Sequence, residues 1–247
     1  MEVQEYAVMR AFEDDYWWYL GLQDLIFRCL RRFDPYGRCR RVLDSGCGTG
    51  KLLDLLAEFE AFGFDFSVEA VRFCHARRLS RLVRASIVAI PFADASFQAI
   101  FSMDVICCLG ASDVPRCLIE LGRILAPGGL LFLNLPAYQW LRSHHDLAVH
   151  TYCRFTARDL QRQLATAGFE ILLCSYRTTL LFLPVVVIRL VQKLLNSQPQ
   201  APTSDLKSLP SFVNTLFTQL LFWENRYIVA GGRFLFGLSI FVVARRR

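Results

Sequence analysis

No Cys-x-x-Cys pair occurs in the 247 residues, and none of the nine cysteines (29, 39, 47, 74, 107, 108, 117, 153 and 174) has a histidine at metal-ligand spacing. A zinc finger or ribbon is excluded, and no metal is expected. The odd cysteine number, with nothing like a secretory leader before the acidic, aromatic start Met1 to Tyr19, argues against a disulfide framework. Reduced, buried thiols in a cytoplasmic protein are the expectation. No apolar stretch has the length of a confident membrane span, since the strongest, Leu180 to Leu195, is interrupted by Pro184, Arg189 and Lys193. An internal repeat is missing too. Charge of one sign is scarce: the net charge is +6, three of it from Arg245, Arg246 and Arg247, so a nucleic-acid footprint is not expected.

What the chain does contain is apolar surface. The hydrophobic fraction is 54%, with 21 Phe, and the mean hydropathy is +0.32. One α/β domain with a modest elaboration fits this length. Helical spacing of Trp17, Leu20, Leu22, Leu25, Ile26 and Leu30 predicts a leading helix or two over residues 2–33. Arg41 to Asp44 reads as a strand running into a glycine loop and a Leu52 to Phe59 helix. Ala61 to Asp65 is a second strand, followed by a Val68 to Leu79 helix. Leu82 to Ile87 and Phe97 to Met103 follow as strands, then a helix from Ser112 to Leu125 stopped by Pro127-Gly128-Gly129, and a buried Leu130 to Leu135 strand. Thr156 to Ala167 is an N-capped helix closed by Gly168, and Phe169 to Tyr176 another strand. Beyond it lie an amphipathic helix over 180–195, a Ser- and Pro-rich linker over Asn196 to Pro210, an apolar helix over 212–223 and a last strand, Leu238 to Val243.

The sharpest local feature is Val42-Leu43-Asp44-Ser45-Gly46-Cys47-Gly48-Thr49-Gly50, a strand that ends in an acid and then Gly-x-Gly-x-Gly. Glycines there let a ligand approach the backbone. A dinucleotide fingerprint needs its third glycine at the position of Lys51, which disfavours a nicotinamide cofactor. Asp65, at the end of the second strand, suits vicinal ribose hydroxyls, or else caps the next helix, a task Ser67 can take instead. Asp44 either braces the loop amides or meets an ammonium group.

These stretches, with Gly63 to Ser67, Ile90-Pro91-Phe92, Asp94-x-Ser96-Phe97 and Leu121-x-Arg123-x-Leu125-x-Pro127-Gly128-Gly129, follow in the order found in class I S-adenosylmethionine-dependent methyltransferases. The chain resembles the broad subgroup that includes ubiquinone-biosynthesis-type enzymes. Trp17-Trp18, 146–155, Ala167 to Glu170 and Phe236 to Ser239 also resemble bacterial members associated with glycan or lipid metabolism. The resemblance implies a Rossmann-like, doubly wound, mostly parallel seven-stranded sheet and S-adenosylmethionine as cofactor. It implies cofactor binding by Asp44, Gly46, Cys47, Gly48, Gly50, Asp65, Phe66, Ser86, Ile87, Ser102 and Met103, with Asp104 closing the pocket. Two positions depart from the pattern: Ser86 where an acid is common, and Cys108 where a histidine is.

Candidate chemistry for the acceptor lies after the fifth strand, in His144-His145-Asp146 with His150, Tyr152 and Arg154. His145, Asp146 and His150 are the candidate catalytic residues if a proton must leave the acceptor, and a solvated polar loop is the other reading. The organisation expected is a helical flap over 1–38, a cofactor core over 39–178, an apolar helical insertion over 179–235 and a final strand with a basic tail over 236–247. The insertion reads as a greasy lid over a lipid-like acceptor, a contact for a membrane surface through 180–223, or a covering layer. Methyl transfer to a small-molecule or lipid- or glycan-linked acceptor is the function expected; a catalytically inactive binding protein of the same fold is the alternative.

Overall fold

Apolar runs of five to twelve residues, bounded by turn formers, build one sheet from β1 (Arg41–Ser45), β2 (Glu60–Asp65), β3 (Leu82–Arg84), β4 (Phe97–Met103), β5 (Leu125–Pro136), β6 (Phe169–Arg177) and β7 (Ser239–Arg246); β3 is the exception at three residues. The computed structural model describes residues 1–194, 206 and 208–247. Strand order is β3-β2-β1-β4-β5-β7-β6, parallel except for β7, which runs antiparallel to both β5 and β6. The sheet is thus Rossmann-like and doubly wound, with a reversed strand set between its last two parallel members.

Nine helices are described: α1 (Val3–Phe12), α2 (Trp17–Phe33), α3 (Lys51–Leu55), α4 (Val68–Ala76), α5 (Val114–Ile124), α6 (His144–Ala148), α7 (Ala157–Thr166), α8 (Phe182–Leu194) and α9 (Ser211–Val229). One face of the sheet, through Val42, Phe101, Phe132, Phe241 and Val243, packs on the Leu22, Leu25, Ile26 and Cys29 stripe of α2 and on Ile228 of α9. The other face, through Leu43, Ile100, Leu131, Leu133 and Val242, packs on Cys117, Leu118 and Leu121 of α5 and Leu160 and Leu164 of α7. Each stripe recurs at three- and four-residue spacing, which is why these segments are helices rather than strands.

Several boundaries differ from the sequence reading. The helix after the glycine loop stops at Leu55, and α4 stops at Ala76. The third strand ends at Arg84, because Ser86 to Ala89 folds into a tight turn bridged between those two residues. Pro127-Gly128-Gly129 does not end the preceding element ahead of a strand at Leu130. It lies inside β5, where the register against β4 shifts between the Phe97 and Ala99 pairs. The Asn196 to Pro210 linker falls largely outside the described residues.

α9 extends to Val229 and is patterned inside out. Glu224 and Asn225 are buried on its inner side, while Phe212, Leu216, Trp223 and Tyr227 are exposed. Asn225 Nδ2 donates to the Gly21 carbonyl at 2.7 Å and to Asp24 Oδ2 at 2.9 Å, locking α9 across α2. That crossing needs Gly21, where a Cβ would lie 2.3 Å from Leu221 Cδ1. No helix among the described residues is long and apolar enough to cross a membrane.

Candidate functional site

The glycine loop leaves the carboxyl end of β1 with Gly46, Gly48 and Gly50 at φ of +81°, +52° and +82°, values that side chains with a Cβ rarely adopt. At Gly46 space is also lacking: a Cβ would meet Val105 Cγ2 at 2.4 Å. The Gly46 and Cys47 N–H groups donate to the Phe64 carbonyl at 2.8 and 2.9 Å, tying the loop to the end of β2. Asp65 completes the tie, accepting from Gly48 N–H at 3.0 Å and from Ser67 N–H at 2.9 Å. Ser67 caps α4 through its own hydroxyl, accepting from Glu69 N–H at 3.2 Å, so the capping role belongs to Ser67 and not to Asp65.

Asp44 is buried on the same side, and no hydrogen-bond donor among the described residues reaches its carboxylate. Burial, reinforced by the nearby charge of Asp65, pushes its pKa up to about 8. Burial also raises Asp65, against the pull of its backbone donors. A carboxylate without a donor beside three open glycine turns fits a ligand carrying an ammonium and hydroxyls. The hydroxyls of Ser45, at the end of β1, and Ser102, near the end of the adjacent β4, are buried without hydrogen-bond partners among the described residues.

The remaining expected cofactor residues scatter around this centre. Phe66 is exposed at the rim with the Arg84 guanidinium over its ring. Ser86 Oγ accepts from Val88 N–H at 3.4 Å within its own turn. Ile87 is buried in the core with Leu43 and Phe64. Cys47 is buried with its Sγ 3.7 Å from Cys74 Sγ, and Met103 is half-buried against the α2 side of the sheet.

α1 lies across the loop. Met9 Sδ would be 3.4 Å from a Cβ on Gly48, and Tyr6 stacks on Phe73 of α4. Glu13, just past the helix and 1% exposed, bonds both the Thr49 hydroxyl and the Arg77 guanidinium. Lys51, the residue standing where a dinucleotide site has glycine, pairs with Asp14 at 2.6 Å. At its other end, Glu2 N–H donates to the Ala148 carbonyl and Glu2 Oε1 meets His150 Nε2 at 2.8 Å.

The expected catalytic trio is not assembled. Asp146 is 2% exposed and spent on structure: it closes a capping box with Ser143 and accepts from Arg154 at 2.8 and 3.0 Å. Burial alone would raise its pKa, but the Arg154 pair outweighs this and holds it below the ordinary carboxylate value, which leaves a poor base. His150 turns to Glu2, and His145 is half-buried in α6.

A polar chain, of which the sequence analysis named only Asp104, crosses the carboxyl ends of β4, β5 and β6. Asp104, at φ +57° after β4, accepts from Asn134 Nδ2 at 2.8 Å, and Asn134 Oδ1 accepts from Arg177 Nη1 at 3.3 Å. Burial pushes Asp104 up to about 6 and Arg177 down to about 10. Glu224 of α9 accepts from the N–H groups of Thr178 and Leu180, both at 2.7 Å. The two further signals in the sequence were an arginine ending an otherwise apolar strand and a glutamate inside an apolar helix.

With the fold and loop in place, residues 43–133 match the family described as a methyltransferase domain. A probable S-adenosylmethionine-dependent methyltransferase of Mycolicibacterium smegmatis is 28% identical over 166 residues, 64% of this chain and 61% of that protein. The probable tRNA methyltransferase 9B of Bos taurus is 30% identical over 106 residues, 42% of this chain and 23% of that protein. The chain therefore spans less than two thirds of these relatives. Among solved structures, the complex between the Haloferax volcanii Trm112 methyltransferase activator and a methyltransferase superposes with a TM-score of 0.61 at 20% identity, over 98% of this chain and 94% of that one. Residues 43–133 are thus similar to a methyltransferase domain, and the fold is similar to that of solved S-adenosylmethionine-dependent methyltransferases. A tRNA methyltransferase among the relatives removes the ground for excluding nucleic acid as a partner.

Proposed function

We propose that the chain transfers a methyl group from S-adenosylmethionine to a small-molecule or lipid- or glycan-linked acceptor. The observation that carries this reading is the loop itself: three glycines at positive φ, Asp65 bonded to the middle one, and a buried Asp44 without a donor. When bound, S-adenosylmethionine supplies a methyl group on a sulfonium sulfur, which keeps the bonding pair as an acceptor lone pair forms the new bond to carbon. The residues have the remaining tasks. Gly46, Gly48 and Gly50 admit the ligand to the backbone, Asp65 takes the ribose hydroxyls, and Asp44 faces the ammonium. α1, clamped by Glu13 and Asp14, keeps water out. His145 and His150 are candidates to take a proton when the acceptor is a hydroxyl or amine.

Calorimetric titration with S-adenosylmethionine, S-adenosylhomocysteine and NAD in parallel tests the reading. Binding of the two adenosyl ligands alone supports it; no binding of either leaves the inactive-scaffold alternative. Asp65→Ala and Gly48→Val should each lose most cofactor affinity while the fold survives, the second because valine at φ +52° also displaces Met9. His145→Ala and His150→Ala should lower turnover more than cofactor affinity.

The lipid-linked form of the acceptor draws on the outward faces of α8 and α9. Leu183, Val187, Ile188, Leu190 and Val191 on one, with Phe212, Leu216 and Trp223 on the other, are exposed. Apolar side chains in that number, on a helix whose inner side holds Glu224 and Asn225, suit a lipid surface better than water. Cosedimentation with anionic vesicles tests this, and failure to bind at low salt would remove it.

A further inference from the structure

The side chain of Arg177 is fully buried, and it is not spent. Its Nη1 donates to Asn134 Oδ1 at 3.3 Å, but Nε and Nη2 have no hydrogen-bond partner. No carboxylate among the described residues lies within ion-pair distance of it, although Glu224 and Asp104 are near enough to stabilise its charge. Were the guanidinium present only to neutralise those acids, a direct ion pair would do so and would satisfy the donors as well. Instead Glu224 spends its oxygens on the backbone of Thr178 and Leu180, and Asp104 binds Asn134. The arginine is thus bonded along one edge, and its other edge is buried without a hydrogen-bond partner.

That unpartnered edge has a defined chemistry. Nε–H and the adjacent Nη2–H point in parallel, the spacing at which a guanidinium takes both oxygens of a carboxylate. Its flat face is already used, with Cζ 5.6 Å from the centroid of the Trp18 ring, so a partner must come in the guanidinium plane. Position supports a role in substrate binding. Asn134 pairs with Met103 of β4, and the Asp104 that follows it adjoins Val105, whose side chain packs on Gly46 of the glycine loop. A group held by Arg177 therefore sits along the same carboxyl edge of the sheet, on the side away from β2 and Asp65.

We propose that Arg177 is the anchor for a carboxylate of the acceptor, so that the acceptor is an organic acid. The inference rests on the methyltransferase reading for the word acceptor, not for the binding site. With both its oxygens in the fork, this carboxylate orients the molecule and leaves another of its atoms to be methylated. A phosphate is disfavoured, since a dianion calls for more donors than one fork. Asn134 and Asp104 are positioning residues that set the plane of the guanidinium.

The test is titration of the whole chain, with and without S-adenosylhomocysteine, using benzoate and octanoate, their amides as uncharged isosteres, and inorganic phosphate. Calorimetry reads affinity, and the Nε–H resonance of Arg177 in 15N-labelled protein reads engagement of the fork. Saturable binding of the carboxylates but not the amides, with the Arg177 Nε–H signal shifting, is expected. Arg177→Met should lose about 10- to 100-fold in carboxylate affinity, and Arg177→Lys should lose nearly as much for want of the fork, with S-adenosylhomocysteine affinity unchanged in both. If either variant fails to fold, the wild-type resonance still decides. No carboxylate binding, equal binding of the amides, a preference for phosphate, or binding that leaves Nε–H unmoved would each overturn the proposal. Carboxylate binding by a chain that does not bind S-adenosylhomocysteine would keep the anchor and sink the methyltransferase reading.

Discussion

Asp44 is a single buried carboxyl that, on the proposed reading, would link cofactor binding to pH. Its carboxyl holds a proton up to about pH 8, whereas in the unfolded chain it ionises near 3.8. Between those values the folded protein carries a proton the unfolded chain has lost, so Asp44 subtracts stability as pH rises through this window. A ligand ammonium beside it favours the ionised form. Binding of S-adenosylhomocysteine below pH 8 should therefore release a proton, and affinity should rise towards pH 8, by at most about tenfold per unit. Calorimetry in two buffers of different ionisation enthalpy reads the proton directly. Asp44→Asn should abolish the buffer dependence, and a wild type without any would show that no positive group meets Asp44. The residue-scale features legible in the sequence were those carried by local order: a strand, an acid, three glycines and a second acid about twenty residues on. Asp146 shows the opposite case. Its partner Arg154 is eight residues away, and only the folded loop shows that its charge is used up.

At the scale of elements, caps and anchors make separable predictions. Thr156 Oγ1 accepts from Asp159 N–H at 3.2 Å to start α7, and Gly168 at φ +87° ends it with open space where a Cβ would lie. Thr156→Ala should cost about 1 kcal/mol for the lost cap. Gly168→Ala should cost about 1–2 kcal/mol, all of it conformational, since nothing is struck. Chemical denaturation midpoints check both. α1 makes a kinetic prediction instead. Removing Glu13 cuts its bonds to Thr49 and Arg77, so Glu13→Ala should speed release of S-adenosylhomocysteine about tenfold, as stopped-flow dissociation would show; an unchanged rate would mean α1 does not gate the pocket. Amphipathic stripes made α2, α5 and α7 readable in advance. The third strand and the start of β5 were not, because the Ser86 to Ala89 turn and the bulge beside Phe97 depend on neighbours rather than on local pattern.

For the molecule as a whole, the decisive element is β7. It pairs along its length with both β5 and β6, and its Phe241 and Val242 are fully buried, one on each face of the sheet. Deleting residues 239–247 should therefore not trim an edge but leave β6 unpaired and both cores open, with loss of cooperative unfolding in circular dichroism. A truncated chain that still unfolds in one sharp transition would show that β6 can find another partner. The alternation of strands and helices was legible in the apolar runs and helical stripes, and the sheet's architecture in the family resemblance, while the inside-out pattern of α9 was not, since nothing local says that Glu224 and Asn225 face inward.

The place of β7 also orders events during synthesis. The strands that carry the glycine loop and Asp65 can pair with one another as they leave the ribosome, whereas β6, with Arg177 at its end, waits for a strand translated more than sixty residues later. A chain interrupted before that point would have the strands of the glycine loop without a paired β6, so on the proposed reading the cofactor site would form before the acceptor anchor at Arg177.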